Sequence, residues 1–103
     1  MKTSELTGAA LDWAVSEAEG VSYADYMEDG PINQRKWSTD WAQAGPIIER
    51  EGIELSPDES HNMWCAFMTN EGVGYEYWGP TPLIAAMRCY VASRLGDDVS
   101  GGV

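Results

Sequence analysis

The sequence predicts an α+β domain, a small three-stranded antiparallel sheet packed with three helices in the order α-α-β-β-β-α. Three observations point there. Two early segments carry apolar residues at helical spacing and end on glycine; the middle third holds three short β-rich runs separated by turn chemistry; Thr81-Pro82 then opens a last apolar helical segment. The 103 residues, 44% hydrophobic and 22% charged, suit one domain with a buried core rather than a disordered acidic tail.

The first helix is expected over residues 8–19. Thr7 is its N-cap, Leu11, Ala14, Val15 and Ala18 form its apolar stripe, and Gly20 stops it. Residues 21–36 show no sustained period and contain the turn signal Glu28-Asp29-Gly30-Pro31, so they read as a long loop, a kind of segment that is often functional. Trp37-Ser38-Thr39-Asp40 opens the second helix, with Ser38 or Thr39 as cap and Asp40 in the first turn. Its body runs through Trp41, Ala44, Ile47 and Ile48 to Gly52. Pro46 permits either one kinked helix or a turn followed by a helix starting at Pro46; the first is favoured.

Ile53-Glu54-Leu55 reads as a strand ended by Ser56-Pro57, followed by the polar loop Asp58 to Asn62. Met63 to Met68 is apolar at both parities, which suggests a central strand covered on both faces. Thr69 to Gly74 makes a glycine-rich hairpin connection to the strand Tyr75 to Trp78. In the last helix Thr81 is the N-cap and Pro82 the first residue, Leu83, Ala86, Met87, Tyr90, Val91 and Leu95 mark the core face, and Gly96 is the stop. Residues 1–96 thus form the domain and 97–103 a flexible tail.

Charge narrows the function classes. Seventeen Asp and Glu oppose six Lys and Arg, a net charge of −11, which repels phosphate backbones and anionic lipid headgroups. No direct nucleic-acid or membrane binding is expected; the partner is a small molecule or a protein. No apolar run is long enough to span a bilayer and none follows Met1 to Glu5 as a signal peptide would, so the chain reads as cytosolic. Cys65 and Cys89 lack metal-ligand spacing and are expected as buried free thiols. His61 stands near Asp58 and Glu59 without further ligands and reads as a solvated loop residue, and a Cys65–His61 nucleophile pair has no orienting group. Nucleophile-elbow, phosphate-loop and dinucleotide motifs are absent; no catalytic residue, metal ligand or cofactor is assigned.

The one geometric inference with functional content comes from connectivity. Strand reversals should return the end of strand three, and hence the start of helix three, to the end of the sheet where strand one finishes. If helix two runs antiparallel to strand one, its start shares that rim with the loop Asp58 to Asn62. Helix starts present unpaired N–H groups, Arg35-Lys36 is the only adjacent cation pair in the chain, and aromatic rings lie beside it. The expected ligand-binding residues are Arg35, Lys36, Trp37, Ser38, Thr39, Trp41, Tyr77, Trp78 and Thr81, holding an anionic group and stacking a base. Asp40, Asp58 and Glu59 at the same rim would oppose an anion, and five Trp with five Tyr equally serve to fill a small core.

Three blocks, Ser4 to Val15, Ser38 to Gln43 with Gly45-Pro46-Ile47-Ile48-Glu49, and Gly79 to Val91, resemble the NinX-type family of small phage and prophage proteins. The Ser-Thr-Asp helix start followed by strands and a closing helix is also similar to small phage proteins with an α-β-α sandwich. The resemblance implies a phage origin and the host cytoplasm, and brings no catalytic residue. Two functions are in view: a non-enzymatic binder of a small anionic, nucleotide-like molecule such as a host-defence signal, or an acidic inhibitor that docks a basic host protein, in one form as a nucleic-acid mimic. An enzyme ranks last.

Overall fold

The structure is a computed structural model and describes residues 1–21 and 35–99. Nearly all of the loop expected over 21–36, and residues 100–103 of the tail, lie outside the described residues. A 3-10 turn at Thr3–Glu5 precedes α1 (Gly8–Ala18); then come α2 (Trp41–Glu51), β1 (Glu54–Asp58), β2 (Met63–Asn70), β3 (Val73–Gly79) and α3 (Pro82–Leu95). The three helices and the antiparallel sheet follow the order expected from the sequence.

Local chemistry sets most of the boundaries. Thr7, in extended conformation, precedes α1, and Gly20 beyond its end has φ +83°, a left-handed position that glycine adopts freely. The cap of α2 is Asp40 rather than Ser38 or Thr39: its carboxylate accepts the Ala42 N–H at 2.9 Å. Ser38 and Thr39 sit in a preceding turn whose carbonyl, Lys36 O, accepts from the Thr39 and Asp40 N–H groups at 3.0 and 2.8 Å. The helix continues through Pro46, leaving the Ala42 carbonyl without its intrahelical donor on an exposed side where water can supply one.

β1 extends past Ser56-Pro57, where the sequence suggested it ends, with Pro57 opposite Trp64. It is an edge strand, so a residue without an N–H is tolerated on its open side. Between β2 and β3, Glu71 (φ +54°) and Gly72 (φ +80°) form a two-residue turn with both centres left-handed, the geometry that matches strand twist.

The layers run from the sheet to α3 to α1 and α2. Helix α3 packs on all three strands and, on its other side, on α1 and α2. It is buried almost all round, with Leu83, Ala85, Ala86, Met87, Cys89, Tyr90, Val91 and Ala92 inside. Among the described residues the sheet is therefore an outer layer, unlike the middle layer of an α-β-α sandwich, and β2 is covered on one face only. Ala66 and Met68 are buried beneath α3, while Met63, Cys65 and Phe67 on the opposite face are half-buried with no described element packed over them. The second cover that the apolar residues at both parities of β2 suggested is not supplied by any described element.

Three devices lock the layers. The Arg88 guanidinium, itself buried, donates to Leu6 O at 2.9 Å and Trp78 O at 2.7 Å, tying α3 to the chain entering α1 and to the end of β3. Tyr90 lies between the guanidiniums of Arg50 and Arg94, 5.6 and 5.4 Å from its ring centre, and its hydroxyl donates to Glu19. Arg50 bridges Glu19 at 2.6 Å and Glu51 at 2.7 Å, and Arg94 reaches Glu51 at 3.1 Å, so the C-terminal ends of the three helices share one ionic cluster. Met1–Thr3 and Asp97–Val99 pair as well. The Val99 N–H donates to Met1 O at 2.9 Å and the Thr3 N–H to Asp97 O at 3.0 Å, with the Val99 side chain buried.

Candidate functional site

The residues expected at one rim belong to two segments, the lead into α2 and the end of the sheet. The segment leading into α2 docks on α1: the Ser38 N–H donates to the Asp12 carboxylate at 2.8 Å, across 26 positions of sequence. Burial pushes the Asp12 carboxyl up, against the pull of the Ser38 hydrogen bonds and the Lys36 charge. Trp37 is a core residue, and the Arg35 guanidinium stands 5.8 Å from its ring centre. Lys36 and Thr39 are exposed, the Lys36 N–H donating to Gln43 Oε1 at 2.9 Å. Trp41 is 54% exposed.

At the end of the sheet, Thr81 caps α3 by accepting the Ile84 N–H at 3.1 Å. Tyr77 packs half-buried against the core, whereas Trp78 points to the other face and is 41% exposed. The end of β1, the following loop and the entry to α3 do converge, as connectivity argued. Pro57, Asp58, Glu59, Asn62, Met63, Trp64 and Pro80 line an open groove of about 220 Å³. None of residues 35–41 lines it. Its charged groups are carboxylates, and Asp58 is held below the usual range by the Ser60 hydroxyl at 2.7 Å, with His61 Nδ1 at 3.0 Å adding to the effect. His61 is exposed, in keeping with a solvated loop histidine. No group of three or more His, Cys, Asp or Glu placed to hold a metal ion occurs among the described residues.

Several N–H donors at the helix starts already have acceptors within the chain. Asp12 takes Ser38, Asp40 takes Ala42 and Thr81 takes Ile84, and the Asp40 carboxylate occupies the positive end of α2.

Sequence reasoning missed the outer face of the sheet. Met63, Cys65 and Phe67 form its central column. Asp58 stands opposite Met63, Ser56 and Trp78 flank Cys65, and Glu54 and Glu76 flank Phe67. A Cβ on Gly74 would meet the Phe67 ring at 3.4 Å, so the ring covers the glycine next to it. Cys65 Sγ lies 3.7 Å from the Glu76 carboxylate, and burial together with that charge pushes its thiol up. A signal was present: the outward parity of β1 is polar at Glu54, Ser56 and Asp58, while the matching positions of β2 are apolar.

Among comparisons with known proteins, the family model described as Bacteriophage P22, NinX matches residues 2–94. No curated protein matches significantly.

Proposed function

The chain belongs to the bacteriophage P22 NinX family, and from that premise we propose that it is a non-enzymatic phage accessory protein acting in the host cytoplasm as an acidic inhibitor of a basic host protein. The observation that carries this reading is the outer sheet face, an apolar column flanked by carboxylates on a chain of net charge −11. Such a charge accelerates encounter with a basic partner at low ionic strength, and apolar contact then supplies short-range affinity. The alternative, a small anionic or nucleotide-like ligand held by Arg35, Lys36 and the neighbouring rings, is less well supported, because several of the nearby helix-start donors are engaged and the groove is acidic. Nucleic-acid mimicry is also less well supported, since these carboxylates border an apolar strip instead of forming phosphate-like rows.

The test is capture from host lysate at low and high salt, paired with thermal-shift measurements on nucleotides and cyclic nucleotides. A discrete partner retained at low salt and released as salt rises is expected, with no nucleotide shift. Absence of any partner at low salt, or a clear stabilisation by a nucleotide, overturns the reading.

A further inference from the structure

We propose that the outer face of the sheet is the docking surface, and that its occupant is a short basic segment of the partner protein carrying apolar side chains. This rests on the protein-binding reading above and adds where binding occurs and what binds. Phe67, Met63 and Trp78 supply the apolar ground, and Glu54, Asp58 and Glu76 stand beside them in register. By register, no Lys or Arg faces outward from the three strands. A ligand whose apolar side chains fill the strip can therefore place lysine or arginine on either flank without meeting a like charge.

Charge and size choose the occupant. A second copy of this chain would set carboxylates against carboxylates and −11 against −11, so face-to-face self-association is opposed. Strands of five, eight and seven residues, about 3.4 Å per residue and about 4.8 Å apart, give a face of roughly 330 Å², well short of the ~800 Å² per partner of a standard globular interface. That area fits a peptide-like segment. Trp78, exposed and at the end of β3, is the residue type most enriched among interface anchors.

The experiment uses the full chain, 15N-labelled, titrated with three short peptides: alternating lysine and leucine, alternating lysine and serine, and alternating glutamate and leucine. The lysine-leucine peptide is expected to shift amides of β1, β2 and β3 and the Trp78 indole, and the other two are expected to leave them in place. Trp78→Ser and Glu76→Lys, both at exposed positions, should each weaken that binding at least ~tenfold. Leu95→Ser, at the exposed end of α3, should not change it. Urea midpoints verify that the variants are folded. Shifts centred on α1 or α2, equal shifts from the lysine-serine peptide, or full binding by both sheet variants overturn the proposal. The two readings fail separately: if the wild type captures a host partner and the sheet variants retain it equally, the surface assignment falls and protein binding stands. If the wild type captures none, protein binding itself falls.

Discussion

Substituting Gly79 by alanine should be the most damaging single-methyl change in the sheet. The end of β3 crosses the first turn of α3 so closely that a Cβ on Gly79 would lie 2.7 Å from Ala85 N, 3.0 Å from Ile84 Cγ2 and 3.1 Å from Ala85 Cα. Ordinary contact begins at 3.4 Å, so a gap of about 0.7 Å must be opened against helix backbone, which has no rotamer in which to escape. Overpacking of this kind costs about 1–3 kcal/mol, and the backbone partner puts Gly79→Ala at the upper end, about 3 kcal/mol. For a domain of this size that is a fall in Tm of roughly 10–20 °C. Gly74→Ala is the matched control, because its Cβ would meet only the Phe67 ring, at 3.4 Å. Reduced entropy of the unfolded chain should leave that variant neutral or stabilised by up to ~1 kcal/mol. Urea unfolding followed by tryptophan fluorescence reads both as midpoint shifts at unchanged slope. A Gly79→Ala midpoint within about 0.5 kcal/mol of wild type would refute the close-approach argument.

Acid should weaken the helical pole. Burial alone would raise the Glu19 and Glu51 carboxyls, but hydrogen bonds and charges from Arg50 and Arg94, and from Tyr90 at Glu19, hold both below the ordinary value of 4.5. Their stabilising effect is therefore complete above pH 4.5 and lost as pH falls through the folded-state values; urea midpoints across that range should drop, and Glu19→Gln should flatten the profile. Asp12, raised by burial, works in the opposite direction and moderates the fall. Asp12→Ala leaves the buried Ser38 N–H without its acceptor and should cost about 1–3 kcal/mol by the same assay, while Asp12→Asn keeps a carbonyl oxygen and should cost less. Neither thiol should be a fast nucleophile near neutral pH: burial pushes Cys89 up to about 12 and raises Cys65, so a thiol-reactive dye should label Cys65 slowly and Cys89 only on unfolding.

The fold was legible where chemistry is local. Gly20 and Gly52 end helices, Thr81-Pro82 begins one, and Glu71-Gly72 reverses a hairpin; in each, one or two residues decide the backbone path. It was less legible where a distant partner decides. Ser38 looks like a cap, but it lies in the turn before α2, its N–H given to a carboxylate 26 positions away, and the capping acceptor is the Asp40 side chain. Pro57 looks like a terminator until β1 proves to be an edge. Asp97 to Val99 look like loose tail until Met1 to Thr3 pair with them, a contact that neither segment advertises alone. The candidate rim divides along the same line. Its sheet half, from β1's end to Pro80, followed from strand reversal and is present as a groove. For its helical half, the start of α2 is fastened to α1 through the Asp12 contact, and none of residues 35–41 lines that groove.

The burial of α3 almost all round explains why no described helix covers the outer sheet face, the surface on which the proposed docking rests. A short chain has apolar residues for one core, and α3 uses both of its sides on that core, one against the strands and the other against α1 and α2. The far side of the sheet then has no described helix to cover it, and a sheet needing only solubility would carry polar residues there at every outward position, as β1 does at Glu54, Ser56 and Asp58. β2 instead carries Met63, Cys65 and Phe67, and β3 ends on an exposed tryptophan. Carboxylates on both flanks oppose self-pairing of this strip and leave it open to an oppositely charged segment. The same residues thus oppose self-pairing and supply the apolar surface that the proposed basic partner would need.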